Sequence, residues 1–176
     1  ILLSGFLLSR EKIAFIAEVN GYVEILSNIS TLPTVEAVDG RFLYEGDIVR
    51  TFKDSDCTVM FEDQTAIFTM GSYSEVNLRR FERNIKKINF NYGELYFENS
   101  SNQTSLFLFT RSSQILSLKS SGFLKTRTNG DDEVYSINNK VELYNKKSKL
   151  EVAIYENNKV LSLLDGRVEL KKSEED

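Results

Sequence analysis

The spacing of its tight-turn signals is what most restricts how this chain can fold. Asn20-Gly21, Asp39-Gly40, Asn129-Gly130, Asn138-Asn139, Asn157-Asn158 and Asp165-Gly166 punctuate it, roughly every 8–12 residues where they cluster. Between them apolar residues recur at every second position. In Tyr22–Leu26 the apolar pair Val23 and Ile25 brackets Glu24, and Thr58–Glu62 and Thr65–Met70 alternate on either side of Asp63-Gln64. Period-two patterning sends alternate side chains to one face of an extended chain, and each segment is too short to be a stable helix.

Further strands are predicted over 87–90, 94–97, 105–109, 114–118, 122–125, 133–137, 141–144, 150–155, 160–164 and 167–170. Asn91-Tyr92-Gly93 reads as a turn between the first two, and Asp63-Gln64 as a two-residue hairpin turn. Leu78, Phe81 and Ile85 fall at helical spacing, but Ser74–Leu78 alternates and reads as strand. A weak repeat joins Val19–Ile25, Phe90–Phe97, Ile137–Leu143 and Leu164–Leu170: an apolar residue, a tight turn, then an alternating strand. The expected fold is all-β, either two facing sheets or a twisted β-solenoid-like stack of short strands and hairpins. One β domain is expected over 17–170, with a terminal tail at 171–176. The apolar run at 1–9 is too short to span a bilayer, which needs ~20 residues. Residues 1–16 read either as the end of a membrane anchor or as an N-terminal strand.

Composition narrows the chemistry. Among 176 residues there is no histidine and one cysteine, Cys57. Histidine-based triads and metal sites are thereby excluded, as is an internal disulfide. Cys57, beside Val59 and Phe61, reads as a small core residue. Lys and Arg number 22 against 26 Asp and Glu, a net charge of −4, which argues against a nucleic-acid partner. Phosphate-binding and nucleophile-elbow motifs are absent. No catalytic residue, cofactor or metal ligand is predicted. Two clusters have alternative readings. Arg79, Arg80, Arg83, Lys86 and Lys87 form either a patch for an anionic partner or a solvated connection between strands. Asp54, Asp56, Asp131, Asp132 and Glu133 read as turn chemistry rather than a calcium loop.

Several segments together resemble the FecR domain, a β-rich module of bacterial envelope proteins. They are Gly21-Tyr22-Val23, then Leu43–Thr51 with Gly46-Asp47 and Arg50-Thr51, then Val59–Thr65 with Asp63 and with Gln64 in place of glycine. Ser74–Leu78, Ile88–Phe97 with Gly93, and Ser121-Gly122-Phe123 complete the run. The matched residues read as fold determinants. Asp47 is placed to cap a turn, and Arg50 and Thr51 lie on opposite faces of a strand. The resemblance implies a non-enzymatic periplasmic or envelope domain, attached to the inner membrane by an upstream anchor. It implies partners among envelope or membrane proteins, an oligomeric assembly, and a scaffold role or one in transmembrane signal relay. An alternative is a glycan- or peptidoglycan-binding module, suggested by Tyr22, Tyr44, Tyr73, Tyr92, Tyr96, Tyr135, Tyr144 and Tyr155. Tyrosines exposed together on one face would serve sugar stacking, whereas buried ones would serve the core.

Overall fold

A computed structural model describes residues 11–29, 32–79, 82 and 84–172. The anchor reading of residues 1–9 and the last four residues of the tail lie outside them. Among the described residues there is no helix. The strands are β1 (Lys12–Asn20), β2 (Val23–Leu26), β3 (Val35–Glu36), β4 (Phe42–Tyr44), β5 (Ile48–Thr51), β6 (Asp56–Phe61), β7 (Ala66–Met70), β8 (Glu75–Leu78) and β9 (Ile85–Asn99). They continue as β10 (Ser105–Phe109), β11 (Ser113–Ser117), β12 (Ser120–Thr126), β13 (Asp132–Asn138), β14 (Val141–Asn145), β15 (Glu151–Ile154), β16 (Asn158–Ser162) and β17 (Val168–Lys172).

Hydrogen bonding sorts them into two layers with open ends. Layer A runs β4-β1-β6-β7-β9-β12-β13-β16-β17. Layer B runs β3-β2-β5-β8-β9-β10-β11-β14-β15. Every pairing is antiparallel except β9 with β10. Of the two expected architectures this is the two-sheet one, and the corners between layers are stacked over its N-terminal half.

β9 belongs to both layers. Its first half pairs with β8 and β10 in layer B, and its second half with β7 and β12 in layer A. Asn91-Tyr92-Gly93 is therefore a bend within one 15-residue strand and not the predicted turn. The local signal for a turn is overridden because both edges of both halves are occupied, so reversal would forfeit four ladders of backbone hydrogen bonds. At the bend Gly93 has φ +109, and a Cβ there would lie 2.1 Å from Ser74 Oγ and 2.6 Å from Ser74 Cα. The predicted two-residue turn at Asp63-Gln64 is also longer than expected. Residues 62–65 form the loop, Gln64 N donates to Phe61 O at 2.8 Å, and Gln64 takes the left-handed conformation, φ 57. Within the 74–78 segment, Glu75–Leu78 is a strand.

Inward side chains of both layers form one core. In the N-terminal half it is thick, filled by Phe61, Phe68, Phe90 and Phe97. In the C-terminal half it is a thin apolar seam of Leu108, Ile115, Leu124, Val134, Leu143 and Val160, flanked by buried polar side chains. Along β11 the inward order is Ser113, Ile115, Ser117. These polar groups satisfy one another, as burial requires. Asp132 accepts from the hydroxyls of Thr110, Ser112 and Thr126. Ser113 and Asn145 both donate to Ser162 Oγ, at 2.8 and 2.9 Å. Asp132, expected at a solvated turn, is instead 1% exposed. Strands this short can bury only one or two apolar residues each, so hydrogen bonding closes the rims.

Candidate interaction surfaces

The predicted motif residues brace the corners of the fold. Asp47 Oδ2 accepts from Tyr44 N at 2.9 Å, and Gly46 N donates to Leu78 O at 2.8 Å, which locks the turn before β5 onto the end of β8. Thr51 points inward. Its hydroxyl donates to Gly71 O at 2.6 Å and accepts from Ser74 N at 2.9 Å. Arg50 points outward, and its guanidinium grips Glu75 Oε2 at 2.6 and 2.8 Å. Glu75 accepts further from Asn91 at 2.7 Å and Tyr92 at 3.3 Å. Burial pushes the Glu75 carboxyl up, but the bonds from Asn91 and Arg50 and the charge of Arg50 outweigh it and hold it below its ordinary value. Sequence reasoning missed Glu75, since a lone acid in an alternating strand carries no signal of its partners.

Gly21 and Gly122 mark two close approaches, to Ser55 and to the Tyr135 carbonyl. Asp63 pairs with Lys86 at 2.6 Å. This ion pair corrects the basic-patch reading. Alternation along β9 turns Lys86 inward, where it is 0% exposed, while Lys87 turns outward onto Glu82 at 2.9 Å. Arg79 is exposed, and Arg80 and Arg83 lie outside the described residues. Lys86 and Lys87 therefore do not share one face. Cys57 is wholly buried, and burial pushes its thiol up to about 12, with the charges of Asp56 and Asp39 adding to the effect.

Four interlayer corners stack along one rim: β1 to β2, β5 to β6, β7 to β8, and the bend in β9. Serine hydroxyls tie each to the next. Ser55 Oγ accepts from Tyr22 N at 2.9 Å. Ser72 Oγ accepts from Ser55 N at 3.2 Å and donates to Ser55 O at 3.1 Å. Ser74 Oγ accepts from Glu94 N at 3.0 Å. Tyr22, Phe52, Tyr73 and Tyr92 belong to these corners, with the Tyr22 and Phe52 rings 5.1 Å apart. The other tyrosines scatter. Tyr96 and Tyr135 flank Phe123 in a cross-strand row on the outer face of layer A, Tyr144 is on layer B, and Tyr155 is in a turn. None of the eight is among the buried core residues.

Among the described residues β17 pairs only with β16, and β15 only with β14. Leu170 stands opposite the buried Val160, so its side chain points between the layers, yet it is 61% exposed. Leu150, which immediately precedes β15, is 51% exposed. An inward leucine is left in solvent because no described strand of layer B lies across from β17. Alternation in Arg167–Leu170 identified the strand but carried no information about what faces it.

No known family model matches the sequence, and no curated protein sequence matches it. Solved structures do. Two crystal structures described as a "putative anti-sigma factor" from Parabacteroides distasonis, at 1.65 and 2.50 Å resolution, superpose with TM-scores of 0.63 and 0.62 at 15% identity. The similarity covers 71% of this chain and 59% of the other. At that identity it shows a shared fold.

Proposed function

We propose that this chain is a non-enzymatic, FecR-like interaction module of the bacterial envelope, which holds a partner protein at the open end of its stack as part of signal relay or scaffolding. The sequence resemblance and the fold shared with a protein described as an anti-sigma factor both support the signalling side of this reading. The single observation that carries it is Leu170, an apolar side chain aimed between two layers and left 61% exposed, flanked by edges of β15 and β17 that no described strand pairs. An unpaired edge offers backbone donors and acceptors to an incoming strand, and an inward apolar residue offers it a seat. A docked segment adding to β15 would cover Leu170 and extend the pattern by which the chain lays successive hairpins in alternate layers.

The test is a photo-crosslinking residue at position 170 in the full-length protein in its native envelope, with a control at Thr58 on the outer face of layer A. Discrete adducts with another protein from position 170 and none from position 58 are the expected result. Adducts confined to the same chain, or to glycan, would overturn the proposal.

A further inference from the structure

The corner ridge ends in a cleft that the proposed protein-docking end does not involve. It is an open hollow of about 560 Å³ at the bend of β9. Tyr73 and Tyr92 supply one side, and Glu94, Lys125 and Arg127 supply the other, with the exposed hydroxyl-bearing Thr128 beside them. No aliphatic side chain lines it. Its broad apolar surfaces are the two tyrosine rings, and the charged ends of Glu94, Lys125 and Arg127 stand around them. A peptide's aliphatic side chains would find little to bury here. A pyranose ring, with apolar C–H faces and a rim of hydroxyls, matches both halves of the lining.

Two further details sharpen the assignment. Tyr73 is 59% exposed while its backbone is in the left-handed region, φ 52. A bulky residue there is strained, and such strain concentrates at binding sites. The charges are also unequal. Lys125 and Glu94 pair at 2.6 Å with both side chains more than half exposed, whereas Arg127 lies 3.9 Å from Glu133 in a looser pairing. Glu133 lies outside the lining and is held more closely by Lys159, at 3.0 Å, so among the lining side chains two cations stand against one anion and the cleft is net positive. We infer that this cleft binds a pyranose glycan bearing a carboxylate, the sugar ring lying on Tyr73 and the carboxylate directed to Arg127 and Lys125.

The experiment is a titration of the ¹⁵N-labelled protein followed by amide chemical shifts. The probes are a muramic-acid-containing wall disaccharide, an oligogalacturonate and neutral chitotetraose. Shifts centred on Tyr73, Gly93, Lys125 and Arg127 are expected with at least one acidic probe, and the preferred one tells wall glycan from acidic polysaccharide. Chitotetraose is expected to bind at least about five-fold more weakly, as are Tyr73→Gly and Arg127→Ala proteins titrated with the acidic probe, the effect of removing one stacking ring or one cation from the site. Tyr73→Gly relieves the left-handed backbone, so its unfolding midpoint should not fall, which separates loss of binding from loss of fold. No shift with any probe up to about 10 mM, the limit of weak binding, would overturn the inference. So would equal binding of neutral and acidic probes, or binding indifferent to Tyr73.

Discussion

Gly93→Val is expected to unfold the protein or bring it close to unfolding. The added side chain meets two obstacles at once. Its Cβ would fall 2.1 Å from Ser74 Oγ and 2.6 Å from Ser74 Cα, in a corner tied on both sides by hydrogen bonds, and the φ of +109 is hostile to a branched residue. Overpacking and backbone strain each cost about 1–3 kcal/mol, and the upper end of their sum, about 6 kcal/mol, reaches the roughly 5 kcal/mol at which the stability of ordinary domains begins. The site also carries the seam between the layers, so there is no peripheral element that can yield. Gly40→Ala is the control. Gly40 has φ +76 but nothing within 4 Å of an added Cβ, so only the strain of about 1 kcal/mol should appear. Urea unfolding followed by circular dichroism reads both. A Gly93→Val protein as stable as the Gly40→Ala protein would show that β9 does not bend tightly against Ser74.

The second large effect concerns Lys86. Its ammonium is fully buried, donates to Asp63 at 2.6 Å and to Thr65, and lies 5.6 Å from the centre of the Phe61 ring. Asp63→Asn would take the Asp63 carboxylate away from a buried cation, a change that costs about 3–5 kcal/mol when both partners are deeply buried. Asp63 is 37% exposed, so the lower end of that range is expected. Lys86→Met should cost much less, because the carboxylate left behind can reach water. The double variant should be more stable than Asp63→Asn alone, and equal losses would show that the pair is not coupled.

The same ion pair predicts an acid response. Burial pushes the Asp63 carboxyl up, but the bonds from Lys86 and Thr65 and the lysine charge outweigh it, so it sits below its ordinary 3.8. Glu75 likewise sits below its ordinary 4.5. In each case the unfolded chain takes up a proton at a higher pH than the folded protein does. Their stabilisation is therefore fully present above the unfolded values and is lost as pH falls through the folded ones. Asp63→Asn and Glu75→Gln proteins should accordingly show a shallower loss of stability below about pH 4.

The strands themselves were largely legible, because alternation in segments such as Val23–Ile25 and Val59–Phe61 reports directly on which side chains face a core. Assignment of strands to layers was not, since it depends on which hairpin meets which, and alternation reads the same in either layer. Three local readings failed for one shared reason: tertiary partners outweighed the nearest-neighbour signal. Asn91-Tyr92-Gly93 has the composition of a turn, but its neighbours are strands on both edges. Lys86 sits in a basic run, yet its parity in β9 faces the core, where Asp63 receives it. Asp132 follows a turn but finds three hydroxyls waiting inside. The candidate surfaces were less visible still. Leu170 is an ordinary inward residue in sequence, and only the absence of a described strand opposite makes it a seat. The cleft at Tyr73 draws its lining from segments more than fifty positions apart.

Underlying all of this is the claim that β9 is one strand shared by both layers, which makes a single rigid body of the two halves. Native-state hydrogen exchange tests it most directly. The amides of residues 85–99 should exchange together, with the free energy of global unfolding and no weakly protected gap at 91–93. Fast exchange at 91–93, with the flanking segments opening independently, would contradict it.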